Sequence, residues 1–150
     1  MKGSYLYMTL GVETFRWNNS FFDITQLIYD IQHSLTDIAL IDLDKEFIET
    51  YYNAYLNPSA HHPKPPLAIN YDHANSLNTN DLSTPIILLY VGINNGLVSF
   101  NEKTPEPYYV VADGNHRIIA ALRLDLTLKA YKLSKSDSNK YLIKNTTNLI

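Results

Sequence analysis

At 150 residues and 17.2 kDa the chain is long enough for one domain and tight for two. It has no cysteine, which excludes disulfides, thiolate metal sites and thiol chemistry. Its 45% apolar and 18% charged residues exclude a disordered polymer, and a net charge of −3 argues against gripping long duplex DNA by phosphate neutralisation.

No stretch approaches the ~20 apolar residues needed to span a bilayer. Glu13 and Arg16 interrupt any signal-peptide core near the N-terminus. The expectation is a soluble, cytoplasmic protein, although a cysteine-free chain is equally compatible with export by a specialised route. Residues 23 to about 40 carry the first periodic signal. Ile24, Leu27, Ile28, Ile31 and Leu35 recur at steps of three and four, as on one stripe of a helix, with Ser20 or Asp23 available as its cap. A second helix is expected over 44–56, with Phe47, Ile48, Tyr51, Tyr52, Tyr55 and Leu56 inward and Asn57-Pro58 as its stop.

Periodicity then collapses over 57–84, where Pro58, Pro63, Pro65 and Pro66 precede a run rich in Asn and Ser. This reads as a long surface excursion with one short strand at 67–70, and such segments are commonly functional or mobile. The apolar run 85–91 reads as a strand covered on both faces. Asn94-Asn95-Gly96 reads as a hairpin turn, with a return strand at 97–100. Strands at 108–112 and 128–133 flank a short helix at 116–124, and the tail from Ser134 is polar. The reading is α+β in a single domain: helices first, then a small mixed sheet with one helix inserted late.

Chemistry concentrates between the strand at 108–112 and the helix that follows, at Asp113-Gly114-Asn115-His116-Arg117. A helix's first turn holds four N–H groups without intrahelical partners, and its dipole adds roughly half a positive charge there. Gly114 permits close approach of a ligand, while His116 and Arg117 add donors suited to a phosphate. Asp113 has the opposite sign. It can hold a Mg²⁺ that bridges phosphates, fix the tautomer of His116, or accept a proton from an attacking hydroxyl. The competing interpretation is a well-formed turn and a well-capped helix start.

The stretch from Tyr108 to Leu122, centred on Gly114-Asn115-His116-Arg117 and including Ala120-Ala121, resembles the signature of the ParB/sulfiredoxin superfamily. The preceding Thr84-Pro85-Ile86-Ile87-Leu88-Leu89-Tyr90 resembles that family's Pro-Ile strand, and Leu128-Lys129-Ala130-Tyr131 fits the strand after its helix. The resemblance covers about residues 67–135 and leaves the helical first 60 residues unaccounted for. It implies a nucleotide-phosphate site, for ATP or CTP or a nucleic-acid backbone, with Gly114, His116 and Arg117 in phosphate contact. Asn115 stands where sulfiredoxins place their reactive cysteine, so sulfinic-acid repair is excluded. His116 stands where partition proteins have Arg, and the absence of a helix-turn-helix module argues against a chromosome-partitioning clamp.

Other groups carry weaker signals. His61-His62 with Asp72-His73 can be read as a metal cluster, as surface histidines, or, through His62, Lys64 or Asp72, as a lid over a ligand. Tyr51, Tyr52 and Tyr55 can stack bases or fill the core. Asp42, Asp44, Glu46 and Glu49 read as an acidic helix start or a Mg²⁺ site. Glu102 and Glu106 are candidate general bases, and His33 is read as surface or boundary. Three functions follow: an enzyme on nucleotide or nucleic-acid phosphates (phosphotransferase, nucleoside triphosphatase or nuclease, with a bacterial toxin or anti-plasmid effector among the possibilities); a non-catalytic nucleotide sensor; or an immunity- or adaptor-type interaction protein.

Overall fold

The computed structural model describes residues 14–17, 20–57, 69–92, 98–99 and 108–145. In chain order these form β1 (Thr14–Trp17), β2 (Ser20–Asp23), α1 (Ile24–Gln32), β3 (Ala39–Leu43), α2 (Lys45–Leu56), α3 (Tyr71–Ser76) and a 3₁₀ turn (Asp81–Ser83). Then follow β4 (Ile86–Gly92), β5 (Val98–Ser99), β6 (Tyr108–Asp113), α4 (Asn115–Leu124), β7 (Leu128–Lys132), α5 (Lys135–Lys140) and β8 (Leu142–Asn145). The architecture is α+β, with two sheets. A mixed five-stranded sheet has the order β3-β7-β4-β6-β5, and a three-stranded antiparallel sheet has the order β1-β2-β8. Among the described residues no helix is long and apolar enough to cross a membrane.

The apolar run expected as a doubly covered strand is the centre of the larger sheet. Ile86, Ile87, Leu88 and Leu89 are all buried, and since neighbouring strand residues point to opposite faces, both faces of β4 are covered. β4 lies antiparallel to β6 and parallel to β7. The parallel pairing needs a long connection, which here passes through β6 and α4.

Helix α2 is fastened to this sheet by one polar contact inside the core. Tyr51 is fully buried, and its hydroxyl accepts a hydrogen bond from the Val111 N–H of β6 at 3.1 Å. Burial pushes the Tyr51 phenol well above its ordinary range, against the smaller opposing effect of that hydrogen bond. Phe47, Ile48 and Ala54 complete the buried face of α2. One hydrophobic cluster takes in residues from Phe15 to Tyr141 and draws on both sheets.

Several expectations are corrected. The first helix ends at Gln32, well short of residue 40. Ser34 adopts φ +55°, and Leu35 N–H reaches back to Asp30 C=O at 2.8 Å, a left-handed helix stop. Leu35 therefore leaves the apolar stripe and is 65% exposed. Asp23, and not Ser20, caps α1 through Gln26 N–H. Residues beyond the stop form β3, which pairs with β7 through Ile41 and Ala130. Thus the chain is not helices first and sheet second.

Of the expected return strand, Val98–Ser99 form β5, which pairs with β6; the antiparallel partner of β4 is β6 itself. The Asn94-Asn95-Gly96 turn lies outside the described residues. Ile69 and Asn70 are not in a strand; Asn70 caps α3, a helix inside the segment read as loop. The polar tail contains α5 and β8, and Tyr141 hydroxyl donates to Asp30 Oδ2 at 2.8 Å, joining the tail to α1.

Tyr51→Phe should destabilise the fold by about 1–3 kcal/mol, because it leaves the Val111 N–H buried without an acceptor. Denaturant unfolding checks this, and an unchanged midpoint would remove Tyr51 as the fastening of α2.

Candidate functional site

The strand-to-helix turn forms as the sequence reading expects, and Gly114 is the reason it can. Gly114 sits at φ +113° as the N-cap residue of α4. A Cβ there would fall on Ile86 Cγ2, 2.7 Å from Ile86 Cβ and 3.0 Å from Arg117 Nη2. Backbone conformation and close packing against β4 both require glycine. Gly114 C=O accepts from Arg117 N–H at 3.0 Å and Ile118 N–H at 3.1 Å, which starts the helix. Ile118, Ile119, Ala120 and Ala121 bury its inner face, and the two alanines let α4 lie close to its neighbours.

The start of α4 differs from the other α-helices described. Asp23, Asp44, Asn70 and Ser134 each accept from an amide in the first turn of their own helix. Gly114 has no side chain with which to do so, and α4 has no side-chain cap.

Arg117 lies over the turn instead of projecting into solvent, with its side chain 16% exposed. Its Nη2 is 3.4 Å from Asp113 Oδ2, a single long contact and not a bidentate fork. Arg117 Nε and Asn115 Oδ1 are both buried and have no hydrogen-bond partner. A buried polar atom left unsatisfied costs about 1–3 kcal/mol. The guanidinium therefore retains donor capacity that the fold does not use.

The roles expected of Asp113 are redistributed. Its carboxylate faces Arg117, and the His116 ring is engaged from another direction: Asn70 N–H donates to His116 Nε2 at 2.9 Å. A backbone N–H can only donate, so Nε2 carries the lone pair and the neutral ring holds its proton on Nδ1. It is thus Asn70 that selects the tautomer seen here. Nor do the described residues build a protein-held Mg²⁺ site. Asp113 is the only carboxylate between residues 113 and 117 and shares its charge with a guanidinium. No group of three metal-ligating side chains occurs among the described residues.

Segment 57–84 reaches this turn through α3. The His73 ring meets the His116 ring edge-on, with centroids 4.9 Å apart, and Asn70 Oδ1 accepts from His73 N–H. His73 is thereby placed beside the turn, while its proposed metal partners His61 and His62, and Lys64, lie outside the described residues. Glu102 and Glu106 also lie outside them. Of the acidic group, Asp44 caps α2 and Asp42, on β3, pairs with Lys129 at 2.9 Å. His33 is exposed and stacks on Tyr29.

Of the three tyrosines, Tyr51 is core and Tyr52 and Tyr55 are half-buried. Tyr52 hydroxyl is 2.9 Å from Tyr71 hydroxyl. That hydrogen bond, with a smaller contribution from burial, pushes the Tyr52 phenol up to about 12. Asn70, Tyr71 and His73 were not read as part of the turn. The Asn70 cap signal is visible locally, but its contact with His116 spans 46 residues.

Gly114→Ala should cost at least about 2 kcal/mol, from left-handed backbone strain and the collision with Ile86; a thermal or denaturant midpoint equal to wild type would refute the turn geometry. Tyr71→Phe should return the Tyr52 phenol toward its ordinary range, read by ultraviolet absorbance titration. The raised value means that this hydroxyl pair supports the fold fully below about pH 10 and is lost as pH climbs toward 12.

Comparison of the chain with family models, with curated proteins and with solved structures gives no match.

Proposed function

We propose that the turn from Asp113 to Arg117 is a phosphate site, in a protein of the ParB/sulfiredoxin-like type that acts on nucleotide or nucleic-acid phosphates. The observation that carries this reading is a helix start without a side-chain cap beneath a guanidinium whose Nε has no protein partner. Helix amides and an arginine together are the usual means of holding a phosphate, because dipole, donors and charge all favour an anion at one point.

The Asp113–Arg117 contact is compatible with this role. A single 3.4 Å ion pair with both side chains partly exposed is worth at most about 1 kcal/mol. A phosphate, with more charge and more acceptor atoms, displaces it. The carboxylate released from its cation then accepts a proton more readily from an attacking water or hydroxyl. Arg117 neutralises charge as it develops on the phosphoryl oxygens, while the Asn70 N–H fixes the orientation of the His116 ring. ATP or CTP is favoured over duplex DNA by the net charge of −3. Any Mg²⁺ would arrive with the nucleotide phosphates.

A second reading, a nucleotide-binding module without catalysis, is favoured by one observation: the described part of the turn offers Asp113 as its only carboxylate, while the Nε2 of His116 is engaged by a backbone amide.

Arg117→Ala should abolish binding of ATP, CTP and oligonucleotides, measured by calorimetry, while the protein stays folded; undiminished binding would end the phosphate reading. Asp113→Ala removes a competing carboxylate, so binding should hold or tighten by up to about fivefold. In the enzyme reading it loses turnover as well. Binding by wild type with no turnover of any nucleotide or oligonucleotide would select the binding module.

A further inference from the structure

Three tyrosines from α2 and α3 form a connected group, of which Tyr52 also packs against the core. Tyr71 opens α3 and remains 44% exposed. Its hydroxyl is held by Tyr52 hydroxyl from α2 at 2.9 Å. Tyr55 stacks on Tyr52 one helical turn further along, with ring centroids 6.2 Å apart and planes 17° from parallel. An exposed aromatic residue is normally mobile about its side-chain torsions. Here its polar tip is fixed by a second phenol, which is itself braced by a third ring.

Both supports of this group are also tied to the phosphate turn. On the α3 side, Asn70 precedes Tyr71 and donates its N–H to His116 Nε2, and adjacent Cα atoms lie about 3.8 Å apart. On the α2 side, Tyr51 precedes Tyr52 and is bonded to Val111 N–H. Val111 stands two residues before Asp113, about 7 Å along β6. Two independent hydrogen bonds, from different elements, therefore hold the aromatic group in a fixed position relative to the α4 start.

We infer that the exposed ring of Tyr71, braced by Tyr52 and Tyr55, is a stacking surface for the base of a nucleotide whose phosphates lie at Asp113–Arg117. This inference rests on the phosphate reading above and adds how the nucleoside is held: base and phosphate are bound together, at two separate places. Every base has an aromatic face, so stacking favours nucleotides over inorganic polyphosphate with little choice between bases. The phenol itself contributes only through its ring and its tether.

Affinities of tripolyphosphate, ATP and CTP for the full chain separate the two claims when measured by calorimetry without divalent ions. Wild type should bind both nucleotides about fivefold or more tighter than tripolyphosphate. Tyr71→Ala should erase that advantage and leave tripolyphosphate binding as it was, while Tyr71→Trp retains the advantage. Arg117→Ala should weaken all three ligands. If tripolyphosphate binds in an Arg117-dependent way but nucleotides bind no tighter, or keep their advantage in Tyr71→Ala, the stacking surface is refuted and the phosphate site stands. If none of the three binds wild type, the phosphate reading falls and the stacking surface falls with it.

Discussion

The contact of Gly114 with Ile86 decides the geometry of the strand-to-helix turn. β6 must stop, reverse its backbone sense and enter α4 while still packed against the first residue of β4. Only a residue without Cβ can do this at φ +113° with Ile86 directly beneath. Had the turn been looser, a side-chain cap such as Asp or Ser could have been accommodated, as at the other helix starts. The tight turn excludes one, and the same steric constraint that closes the sheet leaves the first amides of α4 without a capping side chain.

Around that turn the polar groups form a linked set. Arg117 is drawn back over its own helix start by Asp113, four residues earlier. His116 points to the other side, where Asn70 N–H and the edge of His73 receive it. α3 is a short helix with little buried area of its own, Ala74 being its buried residue. Its position depends correspondingly on polar contacts with α4 and on the Tyr52–Tyr71 hydroxyl pair. Removing the acceptor on His116 would thus be felt in α3 before it was felt in the sheet.

The buried polar contacts divide by purpose. Tyr51 with Val111, and Ser138 with Tyr90 N–H, join helices to sheet strands where a backbone donor would otherwise lie unsatisfied. Each is matched to its partner. Arg117 Nε and Asn115 Oδ1 are the contrasting case, since they lie within the same helix turn, are buried, and find no partner. That unused hydrogen-bonding capacity is gathered within one turn, at the start of α4.

What the chain order alone made legible was local. The apolar run of β4, the bounds of α2, the strand–glycine–helix turn and the following strand all depend on residues close in sequence, and each formed where its periodicity and punctuation placed it; the last residue of the expected α2 stripe did not turn inward, since Leu56 is 52% exposed. The end of α1 was missed because Ser34 carries no strong sign of left-handed backbone, and the apolar residues beyond it continue a helical rhythm by coincidence. Tertiary pairing decided the rest. β3 and β8 are polar or irregular in pattern and become strands only because β7 and β2 offer their edges. His116 acquired its partner from α3, and Arg117 its burial, through contacts that no spacing encodes. Hydrogen bonds and packing between distant segments depend on where the backbone folds back. Periodicity reports only which face of an element is apolar, not which neighbour will cover it.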